Sequence, residues 1–271
     1  ARDHFLAELR VNPGDVDVIM DFALFLLEGG DLDSAREKCH RILELNPDFG
    51  PALFYLGEIA LDQGDPERAA GLFEEALKKD ATLAGPHYRL AQCALAAQER
   101  QQARTHLVSE LDRDIEDANT LISMASMFLT IEDADRATQC LLRAVSLDMR
   151  NAEAYYYLGV NAANRGQLVD AERYLAHALE LSPNHTGALR DSAYTYLADG
   201  QADKAVERIA RARTLLPDDC ELRMLDHSVR VILLFNRLTG LFHKLSPRAL
   251  YRRWAARHSS NDEPGTPAPT A

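Results

Sequence analysis

The sequence predicts an all-α fold, a solenoid of stacked helix–turn–helix units. Three observations predict it. From Val16 to Asp219 the chain repeats every 34 residues, six times, with no insertion or deletion. Apolar residues inside each unit recur at helical spacing. No stretch reads as a strand.

The units are 16–49, 50–83, 84–117, 118–151, 152–185 and 186–219. Their eighth places hold Ala23, Gly57, Ala91, Ala125, Gly159 and Ala193, and their twentieth places hold Ala35, Ala69, Ala103, Ala137, Ala171 and Ala205. Small residues at both places let two antiparallel helices approach closely. The twenty-fourth places hold larger groups, Cys39, Phe73, Leu107, Leu141, Leu175 and Ile209, which fill the space between one pair and the next. The second unit shows the logic. Phe54, Leu56, Ile59, Ala60 and Leu61 make a first helix, Gly64-Asp65-Pro66 breaks it, and Ala69, Leu72, Phe73, Ala76 and Leu77 make a second. Glycine supplies a left-handed cap and proline restarts a helix in its first turn. One pair buries too little surface to stand alone, so stacking supplies the core.

This pattern resembles the tetratricopeptide repeat family over about three quarters of the chain. The closing proline stands at Pro47, Pro183 and Pro217, and the turn glycine at Gly30, Gly64, Gly166 and Gly200. The tryptophan often found early in the family's first helix is absent; Ile19, Leu53, His87, Leu121, Tyr155 and Leu189 stand there. The resemblance implies a right-handed superhelix of repeats and a concave groove, lined by successive first helices, that holds peptide or protein.

Residues 1–15 keep the phase, with Ala1, Phe5 and Pro13 at the second-helix alanine, its large apolar residue and the closing proline. They read as the second helix of an incomplete repeat, either a natural cap or the remainder of a unit whose first helix lies upstream; the latter is favoured. The middle is least regular. Gln98 and Glu132 replace the turn glycine, Ile115 and Met149 replace the proline, and Glu110 stands where Ala76, Ala144 and Ala178 are small. Glu110 marks either a special contact at a joint between the two halves or ordinary drift, its carboxylate reaching solvent; drift is the favoured expectation.

The groove is the candidate site, because fold alone supplies no function. Fifth places give Met20, Phe54, Tyr88, Ile122, Tyr156 and Arg190; ninth places give Leu24, Glu58, Gln92, Ser126, Val160 and Tyr194. Twelfth places add Leu61, Leu95 and Leu129, with Leu27 and Leu197, a row that also suits packing against neighbouring helices. Asp17, Asp21, Glu28, Asp62 and Glu153 add negative charge. Aromatic rows bury large area with few torsions to freeze. Phe54, Tyr88, Ile122 and Tyr156 are the expected main anchors, and the expected partner is a protein or peptide with apolar anchors beside Lys or Arg. Two groove chemistries known in the family do not match. The Lys and Asn that clamp a terminal carboxylate are replaced by Phe54, Tyr88, Gln92 and Glu58, and Asn119, Asn161 and Asn164 are too few for an asparagine ladder.

Beyond Pro217 the pattern changes. Residues 220–245 predict a capping helix, with Leu222, Leu225, Val229, Ile232, Phe235 and Leu238 at helical spacing. Ser246-Pro247 opens a short basic amphipathic helix over 246–258, and 259–271, with three prolines and no large apolar residue, reads as a disordered tail. The basic segment comprises Arg230, Arg237, Lys244, Arg248, Arg252, Arg253, Trp254 and Arg257. Residues 1–222 sum to −17 and residues 223–271 to +5, which gives the chain's net −12. Three uses are expected of this segment, in falling order: a solubilising cap, self-association or docking on the acidic array, and contact with an anionic membrane surface.

The acidic body argues against nucleic-acid binding. Four separated cysteines argue against a disulfide framework or zinc site, and apolar places for Cys39 and Cys93 fit a reducing, cytoplasmic setting. No phosphate-binding glycine motif, metal-spaced histidine pair or carboxylate pair in a pocket emerges, so no cofactor or catalytic residue is assigned. His87 is expected at a core-facing place as a structural residue. The sequence therefore predicts a non-enzymatic scaffold. The alternatives are a membrane-associated assembly factor, recruited through the basic segment, and the targeting region of a larger enzyme.

Overall fold

The computed structural model describes residues 1–244, so the basic helix expected over 246–258 and the tail expected over 259–271 lie outside the described residues. Among the described residues there are fourteen helices: α1 (Arg2–Val11), α2 (Val16–Glu28), α3 (Leu32–Leu45), α4 (Gly50–Asp62), α5 (Pro66–Lys79), α6 (Pro86–Ala96), α7 (Arg100–Leu111), α8 (Ala118–Thr130), α9 (Ala134–Leu147), α10 (Ala152–Asn164), α11 (Leu168–Leu181), α12 (Thr186–Ala198), α13 (Ala202–Leu215) and α14 (Cys220–Lys244). The even-numbered helices from α2 to α12 are first helices, and α3 to α13 are second helices. The fold is all-α with helices paired in each repeat. The described residues fall into two compact units, one ending at Tyr157 and the other beginning at Leu158.

Every first helix ends in the same way. The residue at the turn place is left-handed in all six repeats: Gly30 (φ 76°), Gly64 (78°), Gln98 (62°), Glu132 (63°), Gly166 (72°) and Gly200 (75°). The next amide reaches back to close the helix: Asp31 N–H donates to the Leu26 carbonyl (2.9 Å), Glu99 to Ala94 (2.8 Å) and Asp133 to Phe128 (2.8 Å). This double closure satisfies the orphan carbonyls of the last turn. In three repeats the same residue caps the next helix: Asp31, Asp65 and Asp133 accept from the amides of Ser34, Arg68 and Arg136.

The small-against-large rule is visible atom by atom. A Cβ on Gly57 would stand 2.5 Å from Phe73 Cε1, and one on Gly159 would stand 2.6 Å from Leu175 Cγ. All six twentieth-place alanines are fully buried. In the first unit, Ile19, Ala23, Cys39, Ile42, Ala52 and Leu56 form one cluster, so the core of a pair is completed by the following first helix. Phe5 of α1 stacks on Phe22 at 5.2 Å, which covers the exposed end of the first pair. In the second unit, Leu225 and Val229 of α14 pack with Tyr196, Ala205 and Ile209, giving α14 its capping role.

In two connectors that lack the closing proline, those at Ala81 and Ile115, arginines hold the backbone. Arg113 donates to the carbonyls of Ala81 (2.8 Å) and Thr82 (2.7 Å). Arg143 donates to the Leu111 carbonyl at 3.1 Å and lies 3.5 Å from those of Arg113 and Ile115. A five-donor fork suits a turn that presents several unpaired carbonyls.

Glu110 departs from the expectation of drift. It is only 3% exposed. Its Oε1 accepts from Gly85 N–H at 3.0 Å, and Arg113 Nε lies 3.8 Å from its Oε2. Gly85 is the left-handed N-cap of α6 (φ 100°) and has no side chain to cap with. The carboxylate supplies that cap from α7, where the positive helix end favours negative charge. The contact lies inside the third repeat, not at a joint between halves.

Candidate partner-binding groove

Three cavities open between successive first helices. In the first unit, Leu24, Leu27 and Glu28 of α2 face Tyr55, Glu58 and Asp62 of α4 across about 390 Å³. Asn119, Ile122, Ser123 and Ser126 of α8 face Glu153 and Tyr157 of α10 across about 200 Å³. In the second unit, a cavity of about 300 Å³ is lined mainly by Val160, Ala163 and Asn164 of α10 and Asp191 and Tyr194 of α12. The linings recur at the second, sixth, ninth and thirteenth places, a stripe that advances by about one helical turn each time.

Two of the fifth places lie deeper than this stripe. Met20 and Ile122 are buried, at 8% and 6% exposure; Met20 packs in the first-repeat cluster, whereas Ile122 touches its cavity from below. Phe54 and Leu61 pack against Phe73 and Leu90. The Phe54 ring also supports Tyr55 edge-on at 5.2 Å, and the Tyr156 ring lies 5.1 Å from that of Tyr157. Leu95 and Leu129 are half-buried. Reading the groove from fifth places overlooked Tyr55, Arg89, Ser123, Tyr157 and Asp191 at the sixth. The thirteenth places carried the missing signal: Glu28, Asp62, Thr130 and Asn164 are polar, whereas the adjacent twelfth places are almost all Leu.

Charge is organised around Glu58. Its Oε2 accepts from Arg89 Nη2 at 2.5 Å, while Oε1 is buried without a hydrogen-bond partner. Burial raises its carboxyl above the usual range, and the Arg89 guanidinium opposes the rise. Arg89 also donates to Gln92 (2.9 Å), Gln92 donates to Tyr88 Oη (3.0 Å), and the guanidinium lies 5.5 Å from the Tyr88 ring centre. Tyr88 and Gln92 are thus held in an internal network that ends on Glu58. Burial, then the Glu58 charge, raises the Tyr55 hydroxyl.

In the second unit, Tyr194 Oη donates to Glu221 at 3.1 Å, and Arg190 lies 3.0 Å from Asp191 and 3.6 Å from Glu221. These two predicted groove residues therefore tie α12 to the start of α14. Of the basic segment, Arg230 pairs with Asp226 (3.0 Å), Arg237 is exposed, and Lys244 is the last residue described. Arg248, Arg252, Arg253, Trp254 and Arg257 lie outside the described residues.

Two family models, each described as a tetratricopeptide repeat, match the chain at residues 20–84 with 123–186 and at residues 60–123 with 162–225. The chain belongs to the tetratricopeptide repeat family. This tetratricopeptide repeat protein is 22% identical over 217 residues to human Protein O-mannosyl-transferase TMTC3, covering 77% of this chain and 23% of the relative. It spans 20–27% of the length of the curated relatives it matches. Among solved structures, YrrB, described as a TPR protein with an unusual peptide-binding site, matches with a TM-score of 0.61 at 22% identity, over 71% of this chain and 97% of that one. PilF of Pseudomonas aeruginosa matches with a TM-score of 0.65 at 15% identity, over 79% and 97%. These likenesses show the fold.

Among the described residues, no group of three or more His, Cys, Asp or Glu could hold a metal ion, and no helix is long and apolar enough to cross a membrane. One histidine pair escaped the sequence reading: His87 and His106 bring their Nδ1 atoms to 3.1 Å across α6 and α7. Burial lowers the basicity of both rings, and the neighbouring His106 adds to the lowering at His87.

Proposed function

We propose that this tetratricopeptide repeat protein is a non-enzymatic scaffold whose groove holds a partner segment with apolar anchors flanked by Lys or Arg. One observation carries the reading: the cavity between α2 and α4 joins an apolar wall of Leu24, Leu27 and Tyr55 to the carboxylates of Glu28, Glu58 and Asp62. An ammonium or guanidinium entering there meets the exposed carboxylates of Glu28 and Asp62, beside the part-buried Glu58. A buried carboxylate oxygen gains more from a cation than an exposed one, because water screens it less. Arg89 already pairs with Glu58 Oε2 at 2.5 Å. Glu153 beside Tyr157 repeats the acid-plus-aromatic pairing in the cavity between α8 and α10.

A peptide array of apolar sequences with and without flanking Lys or Arg tests the proposal. It is probed with the wild-type chain and with Glu28→Lys/Asp62→Lys. Both positions are exposed, so the fold tolerates the change. The reading requires basic-flanked peptides to bind the wild type and to be lost from the variant. Equal capture of the peptides without flanking Lys or Arg contradicts it.

A further inference from the structure

The second half of α14 carries an apolar stripe that none of the repeats covers. Its first half is packed: Leu222, Leu225 and Val229 are buried. Beyond Arg230 the helix runs out with Val231 at 52%, Leu234 at 58%, Phe235 at 64% and Leu238 at 46% exposure. These four occupy i, i+3, i+4 and i+7, the spacing with which an amphipathic helix enters a groove. Exposed apolar side chains gathered in this way mark an interaction surface.

The charge around the stripe selects its occupant. Residues 227–258 contain seven Lys and Arg and no Asp or Glu. Residues 1–222 carry −17. The stripe with its basic flank therefore has the chemistry that the acid-lined cavity between α2 and α4 calls for: apolar anchors against Leu24, Leu27 and Tyr55, and cations against Glu28, Glu58 and Asp62. A chain that carries both complementary surfaces has a ligand in every other copy of itself.

We propose that the exposed stripe of α14 in one molecule docks in the cavity between α2 and α4 of a second copy. The proposal rests on the groove reading above and names a ligand for that site. The contact joins two different surfaces, so two copies either exchange stripes reciprocally or join head to tail. Its electrostatic part weakens with salt.

Sedimentation velocity on the full chain tests it, across protein concentration and ionic strength. The wild type is expected to gain mass with concentration and to lose that gain at high salt. Phe235→Asp, which spoils the stripe, and Glu28→Lys/Asp62→Lys, which reverses the cavity, are each expected to weaken association about tenfold or more. Mixing the two variants restores a pair, since one supplies an intact cavity and the other an intact stripe. A wild type that stays monomeric, variants that associate normally, or a mixture that does not pair overturns the proposal.

A labelled peptide of residues 227–258, titrated onto the Phe235→Asp chain beside a basic-flanked peptide from the array, separates this proposal from the groove reading. Binding of the array peptide alone leaves the groove and removes this ligand. Binding of neither removes both. Binding of the 227–258 peptide to the variant while the wild type stays monomeric places the stripe on its own chain and overturns docking between copies. Co-sedimentation of the monomeric wild type, but not Phe235→Asp, with phosphatidylserine vesicles assigns the stripe to a lipid surface and overturns it too.

Discussion

Gly57→Ala tests the packing rule that builds every repeat. Phe73 is fully buried, and the added methyl would stand 2.5 Å from its Cε1 and 2.8 Å from Cδ1 and Cζ. Overpacking of this kind costs roughly 1–3 kcal/mol. Alanine in a helix interior returns about 1 kcal/mol relative to glycine. The net expectation is a loss of about 1 kcal/mol. Phe73→Leu alone leaves space in a sealed core and costs about 1–2 kcal/mol. The double variant recreates the pairs Ala91 with Leu107 and Ala125 with Leu141, all four fully buried in the third and fourth repeats. It is therefore expected to be more stable than the sum of its parts by about 1 kcal/mol. Urea unfolding followed by far-ultraviolet circular dichroism gives the three midpoints. Additivity within about 0.3 kcal/mol would mean that the two side chains do not sense each other, and would refute the reasoning.

Three further outcomes are expected. Gln98 and Glu132 hold left-handed backbone that favours glycine, so Gln98→Gly and Glu132→Gly should each stabilise by about 0.5–1 kcal/mol in thermal melts; a loss of stability at both would contradict the turn geometry. Burial pushes the Cys39 thiol up to about 11 and the Cys140 thiol up to about 12, whereas Cys220 is exposed, so a disulfide reagent at neutral pH should label Cys220 and reach Cys39, Cys93 and Cys140 only in urea. His87 and His106 are lowered by burial in the folded chain, so the unfolded chain takes up protons first, and stability is lost as pH falls from 6.5 through the folded values. His87→Asn/His106→Asn should flatten that slope in urea titrations; an unchanged slope would assign it to other groups.

The repeat was legible because its physics is local. A left-handed turn, a following cap and small residues at two fixed places leave marks at constant spacing, and the helices fall where those marks put them. The groove was legible only in outline. Fifth and sixth places are neighbours in sequence but about 100° apart around a helix, so choosing Tyr55 and Tyr157 over Phe54 and Tyr156 needed the actual packing of α4 and α10. Phe54 was read as an anchor, yet its ring is spent on Phe73 and on supporting Tyr55. Glu110 was illegible for another reason. Its partner, the Gly85 amide, is 25 residues away, and nothing in a helical pattern shows that a neighbouring helix lacks a cap. The His87–His106 pair and the arginines on the proline-free connectors belong to the same class. Each is set by contact between helices, not by periodicity within one.

The central claim is that the acid-lined cavity between α2 and α4 recognises a basic-flanked apolar segment. Isothermal calorimetry of the strongest array peptide tests it most directly, against the wild type and against Glu28→Lys/Asp62→Lys. The account predicts that affinity falls about tenfold or more while the melting temperature of the variant stays at the wild-type value. An unchanged affinity in a folded variant would contradict it.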